Sequence, residues 1–233
     1  FNSFDSTSRG VAILVKKSFP LKIMSELKDN SGNRLSLICE YDTKSILLTC
    51  VYGPNRDDPV FFTDMFDVIS STQTEYSIIG GDFNTTLNHN LDNEGYIHTC
   101  NPNSRKTLNN IMGSNAFFDP YRKIYNDKKE FTWFKWADRN VGANRRQKAR
   151  LDYFLCSQDL LPCIVDVQKS QAIRSDHNPI TLSIDFDKFK KGKGLWCFDN
   201  KLLNDPIYVK CAKKSITETC AKYWVHPTYN NFL

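Results

Sequence analysis

The stretch Ile78-Ile79-Gly80-Gly81-Asp82-Phe83-Asn84 constrains this chain more than any other. Residues Tyr76 to Ile79 have the apolar content of a buried strand, and two glycines then remove the side chains from its end. An acid and an amide come next, two residues apart, a spacing that sends both to one side of an extended or tightly turned backbone. Asp82 and Asn84 are therefore expected to point together into a space that the glycines leave open. A carboxylate with an amide at a strand end suits a water, a phosphate oxygen or a hard metal ion. The structural alternative is a strand closing in a Gly-Gly-Asp turn, with Asn84 capping the next element.

The surroundings read as sheet and helix in mixed order. Arg9 to Val15, Leu21 to Leu27, Leu35 to Tyr41 and Ser45 to Tyr52 predict an antiparallel meander punctuated by Asp29-Asn30-Ser31-Gly32-Asn33 and Asp42-Thr43-Lys44. Asp58-Pro59 opens a helix whose Phe61, Phe62, Met65, Phe66 and Ile69 recur at helical spacing, the pattern of core packing. Ser104 is expected to cap a second helix, with Leu108, Ile111 and Met112 on its buried face. Later strands are expected at Phe131–Phe134, Arg150–Leu155, Ile164–Ile173 (one strand, or two broken by a bulge) and Thr181–Phe186. A basic, glycine-containing linker comes after them, so the boundary is placed at Asp187: residues 1–187 form one domain and residues 188–233 a partly helical tail, with weak periodicity from Pro206 to Tyr223.

Composition narrows the class. A hydrophobic content of 40% supports a substantial core, and sixteen Phe favour broad packed sheets over a helical bundle. The net charge of +5 permits a polyanionic partner without specifying one. No apolar run is long enough to span a membrane. The eight cysteines contain no C-x-x-C pair and several fall in strand-like runs, so buried thiols in an intracellular reducing compartment are expected in place of a disulfide framework.

Polar residues also end other strands: Tyr52, Asp152 between Leu151 and Tyr153, and Ser175-Asp176-His177. An acid in an apolar strand needs a partner or a metal. A carboxylate beside an imidazole is the arrangement used in general acid–base chemistry, although Asp176 capping a turn before Pro179 is the structural alternative. Between Thr132 and Asp152 lies a basic loop with Arg139, Arg145 and Arg146, suited either to solvent or to phosphates.

Gly-Asp-Phe-Asn at 81–84, Leu-Asp-Tyr at 151–153 and Ser-Asp-His-Asn-Pro at 175–179, in that order, resemble the endonuclease/exonuclease/phosphatase superfamily. Tyr52-Gly53-Pro54-Asn55, Phe131-Thr132-Trp133 and the tail segment Gly194 to Asn200 are most similar to the apurinic-type endonuclease of LINE-class non-LTR retrotransposons. The resemblance implies an α/β (α+β) four-layer sandwich, two facing and mostly antiparallel sheets flanked by helices. It implies Asp82 orienting or deprotonating water, Asn84 holding the scissile phosphate, His177 contacting that phosphate with Asp152 as partner, and Tyr52 and Thr132 against phosphate or nucleic acid. Asp176 would help hold Mg²⁺, for which Mn²⁺ could substitute, and Arg139, Arg145 and Arg146 would contact double-stranded DNA. The tail would lead toward a reverse transcriptase within a polyprotein, with DNA nicked in the nucleus for target-primed reverse transcription.

The family's opening strand with its Asn, and the later Gln-Glu pair that supplies the principal metal ligand, have no match here. Phe1 reads as entry into a domain already under way, and the chain is expected to be N-terminally truncated and to cleave DNA weakly or not at all. Other phosphoesterases of the same fold (phosphoinositide phosphatase, sphingomyelinase, deadenylase) and a catalytically dead nucleic-acid-binding remnant are the competing readings.

Overall fold

The computed structural model describes residues 1–5, 10–95, 100–135, 147–187 and 200–223. Its contacts divide the chain into two units, Phe1–Phe189 and Lys190–Leu233.

In the first unit, β1 (Asn2–Ser3) and β2 (Gly10–Val11) form a short pair, and β3 (Lys22–Lys28), β4 (Arg34–Tyr41) and β5 (Lys44–Tyr52) form the expected meander. Helix α1 (Pro59–Ser71) comes next, then β6 (Tyr76–Asp82), the four-residue α2 (His89–Asp92) and β7 (Asn93–Glu94). After these lie α3 (Pro102–Ser114), β8 (Phe117–Phe118), α4 (Pro120–Ile124), β9 (Trp133–Lys135), β10 (Gln147–Ala149) and β11 (Asp152–Ser157). A 3-10 turn leads to β12 (Ile164–Lys169) and β13 (Ile180–Ile184). The main sheet has the order β3-β4-β5-β6-β11-β8, antiparallel throughout except for β5 beside β6. That parallel step is where α1 serves as the crossover, since parallel neighbours cannot be joined by a tight hairpin.

The alternation along β5 assigns its faces. Leu47 and Val51 join Phe62, Met65, Phe66 and Ile69 of α1, Leu108 of α3, and Ile79, Tyr153 and Leu155 in one buried cluster. Leu48 and Cys50 point the other way, toward Leu35, Leu37 and Val11. On that second face Ile78 and Phe154 meet Ile164, Leu182 and Ile184 of the β12–β13 pair. The two facing sheets are thus present but unequal, six strands against short pairs.

Three local expectations change. Among the described residues of the Arg9–Val15 run only Gly10–Val11 pairs as a strand, and β12 stops at Lys169, well before Ile173, with a register shift between Ile164 and Asp166. Ser104 does not cap α3. The helix begins two residues earlier at Pro102, and Asp57 from a separate loop accepts from the Ser104 N–H at 2.7 Å and the Asn103 N–H at 3.1 Å. A remote carboxylate therefore does the work expected of a local hydroxyl, while Ser104 itself is buried. By contrast α1 starts as read: Asp58 accepts from the Phe61 N–H at 3.3 Å, and Pro59 begins the helix.

The second unit holds a 3-10 turn at Asn200–Asn204 and α5 (Pro206–Tyr223), opened by Asp205, whose Oδ1 accepts from the Ile207 N–H at 2.8 Å. No helix among the described residues is long and apolar enough to cross a membrane.

Candidate nuclease site

The sheet register assembles the site. Tyr52 lies opposite Asp82 across the parallel β5–β6 ladder, and Asp82 lies opposite Asp152 across the antiparallel β6–β11 ladder. Three polar residues from distant parts of the chain thus form one row over the end of the sheet. The glycines before Asp82 do not leave open space, contrary to the expectation from sequence. A Cβ on Gly80 would come within 2.6 Å of the Phe154 ring, and one on Gly81, at φ +148°, within 2.0 Å of the Val51 carbonyl oxygen. They permit tight strand packing beneath the site.

Phe83, fully buried, stacks on Tyr153 with ring centroids 4.1 Å apart and so pins the backbone between its two polar neighbours. Asn84 adopts a left-handed φ of 50°, its N–H donates to Asp82 Oδ1 at 2.9 Å, and its side-chain amide donates to the Gly53 carbonyl at 2.9 Å. Asp82 and Asn84 both line a cleft of about 450 Å³ together with Tyr52, Asn55, Trp133 and His177. Tyr52 and Asn84 are therefore placed where the motifs put them.

His177 reaches the cleft from the loop before β13. Its Nδ1 lies 2.8 Å from Asp152 Oδ2, and its Nε2 lies 3.9 Å from Asp82 Oδ2. The hydrogen bond with Asp152 raises the imidazole above its ordinary value, against the effect of burial, and the Asp152, Asp82 and Asp176 charges add to the rise. Burial pushes the Asp82 carboxyl up to about 6; the Asn84 N–H opposes this, Asp152 reinforces it, and the imidazole pulls it down. The cleft thus holds an acid that ionises close to neutrality beside an imidazole that keeps its proton longer than usual.

Asp82, Asp152 and His177 each offer a ligand atom within 4.8 Å of the others, the group among the described residues that could hold a metal ion. Two carboxylates are what Mg²⁺ commonly takes from a protein when substrate phosphate completes its shell, so the donor set fits a hard divalent ion. Asp176 is not in that group. Its Oδ2 accepts from the Trp133 indole N–H at 3.1 Å, and the residue lines an adjacent cleft with Phe134, Lys169 and Asn178. Thr132 is 2% exposed, and its hydroxyl accepts from the Leu151 and Asp152 N–H groups. Arg139, Arg145 and Arg146 lie outside the described residues.

The profile of the Endonuclease/Exonuclease/phosphatase family matches residues 2–177, which include every residue placed in this cleft. The chain belongs to that family. Its relatives within it include the transposon TX1 uncharacterized 149 kDa protein of Xenopus laevis, 25% identical over 91% of this chain but only 16% of that protein. Another is the DNA-(apurinic or apyrimidinic site) endonuclease of Arabidopsis thaliana, 25% identical over 77% of this chain and 60% of its own length. The chain therefore spans only part of these relatives. Among solved structures, a Neisseria 3′ phosphatase bound to a product DNA hairpin superposes with a TM-score of 0.55 at 18% identity, covering 72% of this chain and 71% of that one. The AP endonuclease of Leishmania major gives a TM-score of 0.53 at 18% identity over 76% of this chain and 60% of that chain. Both likenesses concern the fold.

Sequence reasoning missed a second charged cluster beside this family site. Arg150, 3% exposed, donates from Nε to Asp92 Oδ1 at 2.8 Å and from Nη2 to Asp119 Oδ2 at 2.6 Å, and Arg122 also donates to Asp92. The Tyr121 and Tyr153 rings sit 5.4 and 5.1 Å from its guanidinium carbon. Burial alone would raise the Asp92 carboxyl, yet the Arg150 and Arg122 charges hold it below the usual range. An Arg two residues before a site Asp was the available signal. Trp133 was legible only as part of a motif, with nothing to say that its indole would hold Asp176.

Proposed function

We propose that this chain is the endonuclease part of a retroelement polyprotein and hydrolyses phosphodiester bonds in double-stranded DNA, with a divalent ion, preferably Mg²⁺, as cofactor. One observation carries the reading: Asp82, Asp152 and His177 bring ligand atoms within 4.8 Å of one another, with Asp82 and His177 lining a polar cleft, in a chain of this family. Asp82, ionising near neutrality because it is buried, orients the attacking water and accepts its proton. His177, held through Nδ1 by Asp152, presents Nε2 to the phosphate, where its charge offsets that of the developing transition state. Asn84, fixed to Gly53, holds the phosphate against Tyr52. When bound, the divalent ion supplies further positive charge at the same oxygens, and Asp82 and Asp152 are the carboxylates that would hold it.

The likeness to a transposon protein supports a role in nicking chromosomal DNA in the nucleus, with residues 188–233 leading toward a reverse transcriptase. Only two carboxylates converge with His177 among the described residues, so ion affinity is expected to be low and nicking slow. The test is nicking of supercoiled plasmid by the purified chain across a Mg²⁺ series and in chelator, beside Asp82→Asn. Mg²⁺-dependent nicking lost in the variant supports the proposal. Plasmid binding without nicking at any Mg²⁺ or Mn²⁺ concentration would replace it with a nucleic-acid-binding role.

A further inference from the structure

We propose that Thr132 is a positioning residue that sets the His177–Asp152 pair, by tying the backbones of both partners to one side chain and one peptide. The need arises from topology. The chain leaves the β7-β10-β9 sheet at Ala149 and enters the main sheet at Asp152, so Arg150 and Leu151 form a corner between two sheets. On the flank of β11 away from β6, the partner strand β8 pairs only with Cys156 and Ser157, at the far end. The start of β11 therefore has no ladder carbonyl on that side, and buried N–H groups left alone there would be costly.

Thr132 fills the gap. Its Oγ1 accepts from the Leu151 N–H and from the Asp152 N–H, each at 3.0 Å. Its own N–H donates to the Ala149 carbonyl at 3.0 Å, so the corner is gripped on both sides. Its carbonyl accepts from the Asn178 N–H at 2.7 Å, and the next two residues continue the attachment through the Trp133–His177 bridge and a 3.0 Å bond from the Phe134 N–H to the Asp176 carbonyl. The loop bearing His177 and the strand start bearing Asp152 are thereby referred to one residue, and the 2.8 Å spacing between His177 Nδ1 and Asp152 Oδ2 is set by it. Valine would keep the shape of this side chain and remove its acceptor oxygen; serine would keep the oxygen.

The inference rests on the proposed nuclease reading only for its kinetic consequence, so the test has two arms on the full 233-residue chain. In NMR spectra, the His177 ring N–H shared with Asp152 is expected as a slowly exchanging downfield signal, and the Leu151 and Asp152 amides as protected from exchange. Thr132→Val loses the ring signal and exposes both amides while the remaining amide pattern persists; Thr132→Ser restores both. In plasmid nicking, Thr132→Val lowers kcat roughly 10–100-fold with the KM for DNA unchanged. A folded Val variant that keeps the ring signal overturns the proposal, as does a wild-type chain whose Leu151 and Asp152 amides exchange freely, a result that needs no variant to fold. Absence of nicking in the wild type overturns the nuclease reading and leaves the NMR arm to decide the role of Thr132.

Discussion

Arg150 and Asp152 stand two residues apart, yet they belong to opposite kinds of charge cluster. Around Arg150, two cations face two carboxylates, Asp92 fully buried and Asp119 nearly so, although Arg150 Nη1 and Arg122 Nε are buried without a partner. Around Asp152, two carboxylates share one imidazole: burial raises Asp82 although the imidazole pulls it down, and the hydrogen bond with Asp152 raises His177. The first arrangement balances its charges although not every N–H is met; the second keeps an excess of negative charge that a cation could relieve. Burial of charge in this protein is therefore structural where it is balanced and chemically poised where it is not.

The sharpest way to break the comparison is Arg150→Met. It leaves Asp119 without its cation and Asp92 with Arg122 alone, and is expected to cost about 3–5 kcal/mol in urea unfolding, independent of Mg²⁺. His177→Ala should do the reverse, lowering plasmid nicking by about 10²–10⁴-fold while the unfolding midpoint stays near that of wild type.

Asp82→Asn separates the two kinds of cluster most cleanly. Its folded pKa, about 6, lies above the reference 3.8, so ionised Asp82 opposes folding: the cost begins above the lower value and is complete above the higher one. The variant should lose nicking yet gain roughly 2 kcal/mol of stability at pH 7.5, a gain that disappears toward pH 4. In wild type the same shifts predict a bell-shaped rate. Activity falls as pH drops and Asp82 takes up a proton, a fall that bound Mg²⁺ moves below the metal-free value of about 6, and falls again as pH rises through the elevated pKa of His177. A rate flat across this range would contradict both roles. The smallest effect is reserved for a carboxylate of neither cluster: Asp57→Ala removes the remote cap of α3 and should cost about 1 kcal/mol without changing the pH profile.

Strand ends draw attention because they put polar residues where alternation demands apolar ones; of the residues singled out there or just beyond, Tyr52, Asp82, Asn84 and His177 line one cleft, and Asp152 pairs with His177. The placement of Thr132 was not legible, since a hydroxyl beside a Trp reads equally as a ligand contact or as a backbone clamp, and only the sheet change at Ala149 decides. The Arg150 cluster was hidden for a related reason. Its members sit in a short helix, a turn and a strand approach, and no local pattern announces a pairing across such distances. Asp176 is a metal ligand only by resemblance; in the structure its Oδ2 accepts from the Trp133 indole N–H and the residue lines the next cleft. At Gly80 and Gly81 the residue type was informative and the inferred purpose was not: the missing side chains admit Phe154 and Val51.

The row of Tyr52, Asp82 and Asp152 has a consequence in time. Each member comes from a different strand, the fourth participant lies beyond Asp152 in the chain, and the ladders joining them bridge long separations in sequence. Pairings of that kind close slowly, after local turns and helices have formed. A chain still emerging from the ribosome can complete α1 and the first meander, but it cannot hold a phosphate between Asp82 and His177 until β11 has docked in register. The proposed site is thus completed only once residues up to His177 have been made and β11 has paired, later than α1 and the first meander.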